Sequence, residues 1–204
     1  MFVDKSVKDF VSEAASSAPV PGGGGVSALV GALGIALGNM VGELTVGKAK
    51  YADVEENILT LMGEAGRIQD ELLALIEEDA IAFEPLAKAY GIPKDDPERA
   101  EILEKATKDA CKPPLAIVKA CAAAINLISE FAAKGSRLAV SDAGCAAVLC
   151  KAAMQAAALN IYINTRSMKD RAYAAKLNAE TESYISECSR IADAIYLEVK
   201  DSLV

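Results

Sequence analysis

From Val26 to Gly42 the chain runs 17 residues without a charged side chain, and Gly31, Gly34, Gly38 and Gly42 recur in that run every three or four positions. Glycine inside a helix costs about 0.5–1 kcal/mol relative to alanine. Residues at this spacing share one helix face, so the four glycines leave a stripe of bare backbone that neighbouring helices can approach closely. VSALVGALGIALGNMVGELTVG thus predicts a helix over about Val26–Lys48, apolar all round and in need of enclosure. Its uncharged part falls short of the ~20 residues that cross a bilayer. Glu43 follows at once, and no Trp or Tyr flanks its start. A buried central helix in a bundle is favoured over a membrane helix.

The remaining chain supports that reading. Alanine is abundant, β-branched alternation is nearly absent, and turn signals are far apart, so almost every long segment reads as helix. Expected helices are Val3–Ser17, Val26–Lys48, Val54–Tyr90, Pro97–Lys134, Ser141–Thr165 and Lys169–Leu203. Gly91-Ile92-Pro93 is a stop, Pro97 suits a first turn, Pro113-Pro114 must kink or break the fourth helix, and Gly135-Ser136 ends it. The expectation is all-α: a single domain spanning 1–204, a bundle of about six helices around the glycine-rich one. Hydrophobic residues make up 52% and charged residues 25%, ample for a core that needs no disulfide staples. A net charge of −8 argues against nucleic acid as a partner, since phosphate contacts call for a basic face. No cleavable apolar leader is read at the N-terminus, which makes a cytoplasmic protein the expectation.

There is no histidine. Ser/His and Cys/His catalysis and most transition-metal sites go with it. The five cysteines are odd in number and lack C-x-x-C spacing; a thiol in an Ala-rich helix ordinarily behaves as a small hydrophobe. Any chemistry must therefore rest on Asp, Glu, Lys, Tyr, Cys, Ser or the backbone.

Four stretches could carry it. In the third helix, steps of four and three from Val54 reach Ile58, Leu61, Ala65, Ile68, Leu72, Leu75, Asp79, Ala82 and Leu86. A carboxylate thus falls in an apolar seam, where burial is expensive and raises its pKa, unless the seam drifts and Asp79 emerges beside Glu77 and Glu78. Pro21-Gly22-Gly23-Gly24-Gly25 leads into the apolar helix, with Ser27 just beyond. It reads as a ligand-contacting loop with amides at a helix N-terminus or as a tight turn, and it matches neither a Walker loop nor a dinucleotide fingerprint. Lys48, Lys50 and Tyr51 close that helix, where lysines also serve as dipole compensation. Ser141 and Asp142 open the fifth helix as N-cap and first-turn acid, and Asn160 and Asn164 lie on one face of it, where buried amides need partners.

Taken in order, P-x-P-G-G-G with a small-residue helix, L-T-x-G-K-x-K-Y, D-A-x-A-F, S-D-A-G and N-x-x-I-N resemble the cyclodeaminase/cyclohydrolase family. Its members are formiminotetrahydrofolate cyclodeaminase domains and stand-alone methenyltetrahydrofolate cyclohydrolases. Gly25 stands where that family usually has serine. The resemblance implies an all-α fold that dimerises and binds tetrahydrofolate. It also implies reactions through the 5,10-methenyl form, without metal or other cofactor. Asp79 and Asp142 are then the candidate acids, with Lys48 pairing one of them or gripping the glutamate tail. The glycine turn, Ser27, Lys50, Tyr51, Ser141, Asn160 and Asn164 are the candidate binding residues. A helix of 22 residues spans about 33 Å, so the glycine turn and Lys48 meet one ligand only across an antiparallel partner or along an extended folate. Competing readings are a non-catalytic interaction module and a membrane-associated helix pair.

Overall fold

The computed structural model describes all residues, 1–204, and contains no strand. Seven helices form it: α1 (Val7–Ala14), α2 (Gly23–Glu43), α3 (Glu55–Tyr90), α4 (Arg99–Asp109), α5 (Lys112–Lys134), α6 (Val140–Ser167) and α7 (Arg171–Leu203). The expected six are all present, the fourth being divided. It breaks at Ala110-Cys111 because Pro113 and Pro114 fit the opening of a new helix, where a missing N–H does no harm. The ends of α3 and α5 fall at Gly91 and Gly135 as anticipated.

Three boundaries differ from expectation. α1 is shorter, because the Ser6 side chain accepts the Asp9 N–H and fixes its start. α2 begins at Gly23 and ends at Glu43, so three glycines form its first turn and Lys48 lies beyond its end. Ser141 is not the cap of α6, whose cap position is Ala139, after a short 3-10 turn over Arg137–Ala139.

The glycine stripe sets the packing. A Cβ at Gly31 would stand 2.8 Å from Cys121 Sγ of α5, one at Gly34 2.6 Å from Cys150 Sγ of α6, and one at Gly42 2.6 Å from Met62 of α3. Contacts from Gly25 to Ile76, Gly31 to Leu72 and Gly42 to Met62 run α3 antiparallel to α2, and Gly23 to Asn160 with Gly34 to Cys150 does the same for α6. Gly31 to Cys121 and Gly42 to Phe131 make α5 parallel. The α3 seam is buried from Ile58 through Leu75 and again at Leu86. α2 is nevertheless not enclosed all round: α3, α5 and α6 cover three sides, and Leu33 remains 56% exposed on the fourth. By length and hydropathy three helical stretches, including α2, would suffice to cross a membrane; their glycine and alanine faces are spent on one another.

Candidate active site

Asp79 is half-buried where the α3 seam meets the first turn of α2. Its Oδ2 accepts the N–H of Gly25 at 3.0 Å, one of the amides a helix N-terminus leaves without an internal partner. A Cβ at Gly24 would collide with both carboxylate oxygens. The glycines are therefore not a loose linker but the only first turn that lets this carboxylate lie against backbone. Burial pushes the Asp79 pKa up, and the Gly25 hydrogen bond only partly opposes it.

Asn160 completes the approach from α6. A Cβ at Gly23 would sit 3.1 Å from its amide, and its Nδ2 donates to the Ala156 carbonyl at 3.0 Å. Together with Gly22, Gly23 and Asn164, these residues line a cavity of about 220 Å³ closed by Pro19, Val20, Phe83, Ala110, Pro114 and Ile163. Asp79 is the one ionisable side chain of that lining. Asn164 is also hydrogen-bonded to the buried Cys111 thiol, which burial pushes up to about 11 and leaves protonated.

The other expected residues divide between supporting roles and a second cluster. Ser27 is buried, and its hydroxyl donates to the Gly23 carbonyl at 2.5 Å, bracing the turn rather than facing the cavity. Pro21 packs beside Gly25. Lys48 lies at the far end of α2, its Nζ 3.4 Å from Ser136 Oγ. Next to it the Tyr51 hydroxyl accepts the Arg137 N–H at 3.1 Å, the main cause of a lowered phenol pKa, and Lys50 lies over the Tyr51 ring. Ser141 and Asp142 belong to this end too. Eighteen residues at ~1.5 Å each put Asp142 about 27 Å along α6 from Asn160. Within one chain the structure gathers the glycine turn, Asp79, Asn160 and Asn164, and leaves Lys48, Lys50, Tyr51, Ser141 and Asp142 apart.

Phe83 and Ile163 entered the sequence reading only as parts of the D-A-x-A-F and N-x-x-I-N motifs, and Pro114 only as a helix breaker, none of them as a site residue. Phe83 had a usable signal, lying four residues after Asp79 and so on its face. A larger cleft beside α4 and α7, about 660 Å³, is lined mostly by charged side chains, several of them paired, such as Lys108 with Asp170 at 2.7 Å and Lys112 with Asp109 at 2.7 Å. No three His, Cys, Asp or Glu side chains converge as a metal site would require.

Residues 6–183 match the sequence profile of Formiminotransferase-cyclodeaminase. The chain belongs to that family. It is 37% identical over 204 residues to the methenyltetrahydrofolate cyclohydrolase of Methylorubrum extorquens, covering 98% of each chain. With the formimidoyltransferase-cyclodeaminase of Sus scrofa it shares 31% identity, over 90% of this chain but 35% of that longer protein. Among solved structures, the formiminotetrahydrofolate cyclodeaminase of Thermotoga maritima superposes with a TM-score of 0.86 at 28% identity, covering 98% of this chain and 99% of that one. The family's resemblance motifs fall on both clusters: the glycine turn, D-A-x-A-F and N-x-x-I-N on the cavity, L-T-x-G-K and S-D-A-G at the far end.

Proposed function

We propose that this protein is a methenyltetrahydrofolate cyclohydrolase that works as a homodimer, with Asp79 as its proton-transfer group. The observation that carries this is a single carboxylate facing an otherwise uncharged cavity of Pro, Val, Phe, Ile and Asn side chains. The 5,10-methenyl ring is planar and carries one delocalised positive charge, which such a cavity matches. A preorganised charge in a water-poor site stabilises developing or existing charge far better than it would in water. The full-length similarity to a stand-alone cyclohydrolase supports the same choice.

The step follows from the geometry. Water adds its oxygen to the methenyl carbon as one of its protons passes to the Asp79 carboxylate. The carbon–N5 bond then breaks, N5 takes that proton, and the remaining hydroxyl proton leaves as the formyl C=O forms on N10. One proton is released overall. Asp79 must be ionised to begin, yet its raised pKa makes it a better base than an exposed carboxylate. Asn160 and Asn164 offer amide groups to the polar edges of the pterin, and the Gly23 and Gly24 amides offer donors. Asp142 and Lys48 take no part in the proton transfer.

A second reading, formiminotetrahydrofolate cyclodeaminase, is favoured by the Thermotoga maritima likeness. There N10 attacks the formimino carbon, its proton is lost, and the amino group leaves as ammonia after protonation. The methenyl chromophore separates the two. A cyclohydrolase consumes it; a cyclodeaminase produces it from formiminotetrahydrofolate and releases ammonia. Purified protein that binds methenyltetrahydrofolate but changes neither substrate would leave only a binding module.

A further inference from the structure

Phe83 is the one aromatic residue lining the Asp79 cavity. It follows Asp79 by four positions, so the carboxylate and the ring rise from one face of α3. Phe83 also packs on a small core of Leu86, Ala89, Ala106 and Ala110, which ties the end of α3 to α4 and stands apart from the main core. With Pro19 and Val20 it forms the wall between the cavity and an apolar groove lined by Phe2 and Ile81. Contacts on these sides hold the residue at the cavity edge.

The face of an aromatic ring is electron-rich, and a cation within about 6 Å of the ring centroid is attracted to it. Three rings of this chain satisfy that preference internally. Lys5 lies over Phe2 at 4.8 Å, Lys50 over Tyr51 at 5.5 Å and Lys108 over Tyr173 at 4.9 Å. No lysine or arginine lies over Phe83. The basic residue nearest to it in sequence, Lys88, is paired with Glu84 at 2.6 Å, and the cavity lining contains no cation. Asp79 and Phe83 therefore offer one space a carboxylate and an uncommitted π face.

We infer that Phe83 selects the cationic form of the ligand, its ring lying against the planar 5,10-methenyl ring system while Asp79 offsets the charge. The inference rests on the folate reading above. Val20, Pro114 and Ile163 would accept a flat heterocycle whether or not it is charged; Phe83 favours the cation. The preference has a kinetic consequence. Hydration of the methenyl carbon, with loss of one proton, turns the cation into a neutral formyl product. The attraction is therefore complete in bound substrate, weaker in the transition state and absent in product. Such an interaction lowers KM without raising kcat, and it lets the neutral product leave. Phe83 is a binding and selectivity residue, and the proton transfers stay with Asp79.

Two ligands of nearly the same shape test it. One is methenyltetrahydrofolate, read by its KM; the other is 5-formyltetrahydrofolate, whose reduced pterin is uncharged, read as a competitive inhibitor. Phe83→Leu is expected to raise the KM about tenfold, to change the inhibition constant less than twofold, and to leave kcat undiminished. Phe83→Tyr, which keeps a π face, should restore the wild-type KM. Both constants rising by the same factor would show a packing role alone and overturn the inference, as would a Phe83→Leu variant with neither constant changed. Should Phe83→Leu fail to fold, fluorinated phenylalanines at position 83 keep the shape while draining electron density from the ring. The KM is then expected to rise stepwise with each fluorine, and an unchanged KM overturns the inference. Wild-type protein that binds neither ligand overturns the folate reading and this inference with it. Wild-type protein that binds both while Phe83→Leu fails to tell them apart overturns this inference and leaves that reading standing.

Discussion

Asp79 and Gly25, 54 residues apart in sequence, are joined by a 3.0 Å hydrogen bond from the glycine N–H to the carboxylate Oδ2. The bond places an acid against the first turn of a helix and over the mouth of an uncharged cavity. Its electrostatic effect is mixed. An amide donor and a helix N-terminus favour the carboxylate form, while the surrounding apolar side chains disfavour it, and the second effect wins. A group poised this way can hold a proton briefly and give it back.

The raised pKa has a stability consequence. A carboxyl that binds its proton more tightly folded than unfolded makes the fold less stable as pH rises from the ordinary aspartate range through the raised value. Below that window the contribution vanishes. Asp79→Asn removes the titration while keeping an acceptor for Gly25. Its melting temperature is expected to equal or exceed that of wild type at neutral pH, with the gap closing as the pH falls towards 4. Calorimetry across that range checks it; a wild type that gains over the variant with rising pH would contradict it.

Gly24→Ala forces a methyl group into the Asp79 carboxylate. Overpacking of this kind costs about 1–3 kcal/mol, and the displaced acid should lose most activity. Asp79→Ala in the same chain vacates the space. The double variant is therefore expected to recover stability by chemical denaturation while remaining inactive. Losses that simply add would show that the two residues do not meet.

Asn160 and Asn164 are expected to act in binding rather than in proton transfer. Replacing either with Ala should raise KM roughly tenfold, the loss of about one hydrogen bond in a partly buried site, with kcat little changed. Steady-state kinetics separates the two parameters. A large fall in kcat at unchanged KM would instead put the amide in the chemical step.

Activity should survive exhaustive treatment with EDTA, because the site gathers one carboxylate and two amides and no set of metal ligands. Metal content and turnover measured on the same dialysed sample decide the matter.

Much of this was legible in the residues. The glycine stripe foretold which helix the others would crowd, and Asp79 stood out because the α3 seam demanded an apolar side chain there. What could not be read was tertiary. Three glycines in a row argue against helix by propensity, and only the carboxylate lying over Gly24 shows why the first turn of α2 is built from them. Ser141 looked like a cap, yet the preceding 3-10 turn over Arg137–Ala139 moves the start of α6 ahead of it. Asp142 and Asp79 are equally acidic on paper. α3 and α6 run the same way along α2, with Asp79 late in α3 and Asp142 at the start of α6, and no local pattern reports that distance. The expectation of complete burial for α2 failed for a simple reason: three neighbouring helices cover three sides.

Turnover is expected to depend above all on the Asp79 carboxylate. Stopped-flow loss of the methenyltetrahydrofolate chromophore under single-turnover conditions measures it directly, for wild type and Asp79→Asn across the pH range. General acid–base help of this kind is worth about 10²–10⁴-fold. Wild-type protein should lose rate as the pH falls through a midpoint above the ordinary aspartate range, and Asp79→Asn should be slower by that factor with a flat profile. An Asp79→Asn variant that folds, binds and turns over at the wild-type rate with the wild-type pH profile would contradict the account.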